Sequence, residues 1–475
     1  MPQIAKRFLI IAAALVVAFA VILLCINLYL QSEAVQKRIL NAAEQALGAP
    51  ITLKTTYYTP WGGIVLSGVA VPSPDGKKHN LLEISSLRLN VALFPLLQGR
   101  VIIKVVTLKD PVLIIRQRKE GTWVALVPPA PSPEIPIPLD KSTEPTSATE
   151  SPSPRRSVKV EVKRIRIHGA NAAIVDQMGR TQLRIENANL EADVFPDFTT
   201  SGTILIREVE VGTSLRIRKL GSPFTWDGKT LSMPEITGIL AGGAITGDYK
   251  LEAGEEPSFT LNANVVDAKL SKLAEDAAAD AGKTAGTMKG HIHLTGNPIN
   301  AASLSGTASV DLIEARLQPV DFIVKLGELF GIDELQLLQL SEATSKFVIA
   351  DEKVIVENIR LQSENLILEG KGRAKFDGGL DLKSRLLINK KIQKQLGSGL
   401  GKNFESSEDS AYKQLPFKVT GTVANPKTDL LDKVIGIDLG EDVGGLLQNI
   451  LRQIPTSEKP KKKKPSQEPS PTPAN

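Results

Sequence analysis

From Ile51 onward the chain consists of short runs of Val, Ile, Leu and Thr, broken by Gly, Pro and Asn-Asp clusters, and this pattern persists through most of its 475 residues. Such runs fold as strands, and alternation along them sends one set of side chains to each face of a sheet. Val158, Val160 and Val162 alternate with Lys159, Glu161 and Lys163. Leu215 and Ile217 alternate with Arg216 and Arg218, and Leu380 and Leu382 with Asp381 and Lys383. One face is therefore aliphatic and the other wet and charged. Aromatic residues are only 4% of the chain, so burial rests on Val, Ile and Leu.

Within this pattern, Ile64 to Trp123 reads as about five strands, Gly99–Pro111 and Val112–Arg116 being two of them. The stretch Val160–Ala170, followed by a returning strand at Asn171–Asp176, repeats the same outline and suggests an internal duplication. Between the two copies, Pro128–Ser157 is rich in Pro, Ser, Thr and Glu and reads as a solvated linker. Helices that can cover the aliphatic face are few. They are expected at Ala268–Ala281, at Val320–Leu340 with a break near Gly331, near Lys390–Leu400 and within Leu430–Ile454. So few helices leave a curved sheet with a partly open apolar concavity.

Phe8 to Leu30 is apolar apart from Asn27, long enough to cross a hydrocarbon core, and preceded by Lys6 and Arg7. The positive flank stays in the cytoplasm, so the rest of the chain is expected on the other side. A cleaved signal peptide is the competing reading, but Ala18-Phe19-Ala20 lies inside the apolar run and no such site follows Leu30. Ser32–Leu47 reads as a helical stem that Gly48 and Pro50 end. Cys25 is the only cysteine and sits in the apolar run, so intrachain disulfides and thiolate metal clusters are excluded.

The net charge is +5, with no basic stripe in the interior of the chain, so nucleic acid is not expected as a partner. Lys461–Lys464 lies in a Pro- and Ser-rich tail, which reads as solvated; contact with anionic lipid head groups is the sharper alternative. His291 and His293 share a strand face without a carboxylate or cysteine near in sequence, and read as wet-face residues. Gly397–Lys402 fails as a phosphate loop, because Leu396 stands where glycine is required and Asn403 where Ser or Thr must bind magnesium. No catalytic motif is present, so neither an enzyme nor a cofactor is expected.

Several segments resemble the AsmA-like family, the AsmA/TamB-type bacterial envelope proteins. They are Trp61–Val71, Leu82–Val91 and Gly99 to Trp123 near the N-terminus, then Ser345–Ala350, Val354–Leu361, Leu366–Gly372 and Leu415–Pro426. The resemblance implies a mainly β fold: a long, twisted, antiparallel, gutter-shaped sheet with an aliphatic interior, a few short helices and one N-terminal transmembrane helix. It also implies carriage of phospholipid between the inner and outer membranes, with the bulk of the chain in the periplasm. The implied organisation is an anchor at 1–31, an N-terminal β region with its stem at 32–127, the linker at 128–157, a β-groove at 158–454 and a tail at 455–475. Groove candidates are Val160, Val162, Leu215 and Ile217, then Val354, Val356, Leu366 and Leu368, then Leu380 and Leu382. About twenty strands ~4.8 Å apart would span on the order of 100 Å. The alternative reading is a non-enzymatic scaffold for outer-membrane protein assembly, in which exposed sheet edges pair with client strands.

Overall fold

A computed structural model describes residues 49–59, 63–73, 80–92, 101–118, 123–124, 160–212, 214–277, 281–298, 300–317, 338–423 and 425–435. It also describes Leu24, Asn27, Leu28, Ser32, Lys37, Leu40, Asn41, Glu44, Val324 and Gly327. These residues form one sheet of 23 strands. It begins with β1 (Thr55–Thr59), β2 (Gly63–Pro72), β3 (Asn80–Val91), β4 (Val101–Gln117), β5 (Trp123–Val124), β6 (Val160–Val162) and β7 (Arg164–Val175). The middle is β8 (Thr181–Val194), β9 (Thr200–Val211), β10 (Leu215–Trp226), β11 (Thr230–Leu240), β12 (Gly243–Glu252), β13 (Ser258–Lys269), β14 (Ala285–Asn297) and β15 (Asn300–Leu317). It ends with β16 (Leu338–Gln339), β17 (Glu342–Ala350), β18 (Lys353–Gln362), β19 (Leu366–Lys375), β20 (Leu380–Asn389), β21 (Glu405–Ser406), β22 (Tyr412–Gly421) and β23 (Pro426–Thr428). Long strands pair with their sequence neighbours from one end to the other, and β1 does not pair with β22, so the sheet is open. At ~4.8 Å per strand the stack from β1 to β22 extends roughly 80 Å.

The sheet expected to be antiparallel is mixed. β4 runs parallel to β6 and β7, with Val106 opposite Ile165 and Leu113 opposite Ala172. A parallel pair needs a long crossover between its strands, and residues 125–159, the stretch that contains the Pro-rich segment, are the chain available for it. The segment itself lies outside the described residues.

Two expected turns are kinks within continuous strands instead. Gly99–Pro111 and Val112–Arg116 were expected as separate strands, yet Val101–Gln117 is a single strand, β4; among the described residues four strands, β2 to β5, cover this region. Asp110 takes a positive φ of 48° and the strand continues through Pro111. Asn171 likewise does not begin a returning strand: β7 runs straight on, with Gly169 at φ 69°. A residue in the left-handed region kinks a strand without reversing it. The repeated outline marks two strands lying side by side, with Lys109 opposite His168 and Asp110 beside Gly169.

Three short helices are described: α1 (Leu270–Asp276), α2 (Lys390–Leu400) and α3 (Leu430–Ile435). The first is shorter than the expected Ala268–Ala281, because Ala268 and Lys269 still pair with Met288 and Thr287 in the sheet. Helix α2 has the expected bounds, and Asn389 caps it by accepting from the backbone N–H groups of Lys391 and Ile392 at 3.0 and 3.2 Å. Most of Val320–Leu340 and all of 436–475 lie outside the described residues, as does Phe8–Leu30 apart from Leu24, Asn27 and Leu28. Among the described residues no helix is long and apolar enough to cross a membrane.

A β-carbon on Gly169 would stand 2.5 Å from the Asp110 carboxylate, and its φ disfavours any β-branched residue. Gly169→Val is expected to destabilise the fold by about 1–3 kcal/mol, read as a lower denaturation midpoint, whereas Gly179→Ala at an open turn is expected to cost less.

Candidate functional site: an uncharged face

The strand register traces a single face through the whole sheet. Val71, Leu82, Leu113, Ala172, Ile185, Val209, Ile217 and Leu240 are successive partners from β2 to β11. A second row runs through Met233, Tyr249, Leu261, Leu294, Gly306, Ile349, Val354, Ala374 and Leu380, from β11 to β20. Between them Gly247, Ala263, Ile292, Ala308, Phe347, Val356, Gly372, Leu382 and Val419 form a third. Extending these rows by the two-residue alternation, with the phase reset at each kinked or bulged residue as around Asp110, Gly169 and Asn187, puts no Asp, Glu, Lys, Arg or His at the paired positions of this face from β2 to β20. Lys413, opposite Ile388 on β22, is the first charge to fall on it.

From how its side chains pack we take this face as the inner, concave side of the sheet. Ala188, Ile206 and Val209 are buried in a cluster whose other members, Ala170, Leu183, Ile185, Ile204, Ile217 and Leu220, are all strand residues. Side chains on one face of a sheet bury one another in this way when the sheet curls toward that face. On this face burial pushes the Tyr249 hydroxyl above its ordinary pKa, and its ring lies 5.9 Å from that of Phe259.

The opposite face carries the charges as cross-strand pairs. Arg166 reaches Glu191 at 2.8 Å, Arg164 reaches Asp193 at 2.6 Å, and Glu210 meets both Arg184 and Arg216. Farther along, Glu369 stands between Arg360 and Arg385. Exposed pairs of this kind stabilise little one by one, but they satisfy a convex face that must stay wet.

Helices cover part of the concave face. Ile392 and Leu396 of α2, with Leu430 and Val434 of α3, pack in one core with Leu366, Leu386, Ile388, Leu415 and Phe417. Leu273 of α1 belongs to the cluster of Leu215, Ile217, Leu240 and Ile245. Toward the N-terminus Leu40 and Ala49 pack with Ile51, Leu66, Val69 and Val71.

The ten groove candidates therefore divide. All lie on the concave face by register, Val160 and Val162 through their partners Val101 and Ile103. Leu366 and Val356 are sealed, at 2% and 6% exposure. Leu215, Ile217 and Leu368 are half-buried beside a helix-covered cluster. Val162, Val354, Leu380 and Leu382 are half-buried and belong to none of these clusters; the Val160 side chain lies outside the described residues. Sequence reasoning missed the middle of the face, where Leu261, Ile292 and Leu294 continue the rows. The signal was present in His291-Ile-His-Leu294, since histidines on the wet side place Ile292 and Leu294 on the dry one.

Among the described residues no group of three or more His, Cys, Asp or Glu side chains is placed to hold a metal ion. The turn carboxylates are engaged structurally. Asp227 accepts from the backbone N–H groups of Thr230 and Lys229, which holds its carboxyl below the usual range.

Leu366→Ala is expected to cost about 2–5 kcal/mol in equilibrium unfolding, and Leu382→Ala clearly less, because only the former leaves a cavity in a covered core.

The family model of the AsmA family matches residues 1–206. No curated protein and no solved structure matches the chain.

Proposed function

We propose that this chain, whose residues 1–206 match the AsmA family, carries phospholipid between the inner and outer membranes along its concave face. The observation that carries this reading is the absence of charge from the paired positions of that face between β2 and β20. An acyl chain laid on such a surface keeps about 0.8 kcal/mol per buried methylene, while the head group stays in water beyond the strand ends. No chemical step is required. The Phe8–Leu30 run would hold the chain in the inner membrane with the bulk in the periplasm, and Lys461–Lys464 would add contact with anionic head groups.

A scaffold that captures client strands would depend on free sheet edges. Here the edges are blunted. The Asn27 side chain donates to the Tyr58 carbonyl at 3.1 Å and accepts from the Tyr58 N–H at 2.6 Å, occupying the backbone of β1. On β22, Pro416 has no N–H to offer and the Lys418 N–H donates to Asp429 at 2.7 Å. These features favour the lipid reading over the scaffold.

The test is lipid extraction and native mass spectrometry of the full chain, purified in mild detergent from a bacterial envelope. Phospholipid is expected to co-purify and to fall at least tenfold in Leu294→Glu and Leu382→Glu, since a carboxylate on the dry face meets no partner. Thr295→Glu, on the convex face, is expected to retain it. Equal lipid content in all folded variants would overturn the proposal.

A further inference from the structure

We propose that His291 and His293 form a two-imidazole site for a borderline divalent transition-metal ion such as Zn²⁺ on the convex face of β14. They are two residues apart on one strand, so their Cα atoms lie about 6.8 Å apart and their side chains share a face. Ligation at ~2.0–2.1 Å requires their Nε2 atoms to approach to about 3.3 Å, within reach of two rings leaning together.

The second shell carries the argument. The Asp248 carboxylate can only accept, so the Asn262 amide donates to it through Nδ2 at 2.9 Å. That fixes the orientation of Asn262, and its Oδ1 faces Nδ1 of His293 at 2.6 Å. An amide oxygen only accepts, so Nδ1 of His293 is the donor in this contact. On the same strand Asn264 Oδ1 lies 2.8 Å from Nδ1 of His291. Both rings are thus anchored from β13 through Nδ1, which leaves Nε2 as the nitrogen to offer a metal, the second-shell arrangement that supports a metal-bound histidine. His291 is exposed and His293 half-buried, so the site is open to solvent. Imidazole nitrogen suits Zn²⁺ and its neighbours rather than Mg²⁺ or Ca²⁺. With two protein ligands, two positions of a tetrahedral ion remain for water or a donor from another molecule. The site lies on the opposite face from the proposed lipid path and does not depend on it.

The chain has four histidines, which makes ¹⁵N-histidine labelling of the untagged full chain in detergent a direct test. Without metal, His291 and His293 are expected to show protonated Nδ1 and unprotonated Nε2. Added ZnCl₂ is expected to shift both Nε2 resonances together, leaving His79 and His168 in place. His291→Asn should lower Zn²⁺ affinity at least tenfold and remove the concerted response of His293. Asn262 is a positioning residue: Asn262→Leu should move the His293 proton toward Nε2 and weaken Zn²⁺ roughly tenfold at unchanged thermal stability. If Nε2 carries the proton in the wild type, or if all four histidines respond alike to Zn²⁺, or none does at millimolar concentration, the site does not exist.

Discussion

The structure depends on keeping one face of a very long sheet free of charge while its strands bend. The side-chain period of a strand is two, so one inserted residue sends every later side chain to the wrong face. Bending requires such insertions. The chain reconciles the two by placing a polar residue or a glycine at each kink, so that the extra residue tolerates the convex side. Asp110, Asn187, Lys219, Asp267 and Glu314 all take positive φ, between 48° and 58°, and all are exposed. Left-handed backbone costs an L-residue about 1–2 kcal/mol, and the apolar row restored on either side offsets it. Around Asn187 the row passes from Ile185 to Ala188, and around Lys219 from Ile217 to Leu220, with the aliphatic phase intact.

This explains what could be read in the sequence and what could not. Strict alternation at Leu215–Arg218 and at Leu380–Lys383 put the right residues on the dry face, because neither segment contains a bulge. Asp110-Pro111 and Gly169 were read as chain reversals because a glycine or proline break looks the same whether the strand turns back or kinks. Nothing local distinguishes the two. Parallel pairing of β4 with β7 was equally hidden, since it depends on where residues 125–159 carry the chain and not on the strands they join. Burial was hidden for a third reason: Val354 and Val356 have the same alternation, and only the packing of the fold makes Val356 buried and leaves Val354 half-exposed.

The helical cover is unevenly distributed, and this bears on how a ligand could use the face. α2 and α3 close the top of the C-terminal end over Leu366, Ile388 and Phe417, while Leu380 and Leu382, farther along the same strand β20, lie outside that core. β20 therefore divides along its own length into a structural half and an open half. Leu215 and Ile217 show the same division on β10, where α1 reaches them but Trp226 at the far end stays outside that cluster. Among the described residues the open strip thus follows the rim that carries the short turns, and its continuity is set by which strand ends the described helices leave bare.

Stability and openness are consequently supplied by different parts of the same strands. A sheet curled around an uncovered aliphatic strip would be prone to collapse or to pair with other sheets, since exposed apolar surface and free edges favour both. The covered cores at the two ends resist the first. Edge protection resists the second: Asn27 occupies the Tyr58 backbone at one end, and Pro416 with the Asp429–Lys418 contact interrupts the other. With both ends fixed and the convex face cross-linked by Arg–Glu pairs, the middle strands keep their aliphatic side chains half-buried with no covering layer among the described residues. A long open sheet with one uncharged face has few other ways to satisfy its edge backbone.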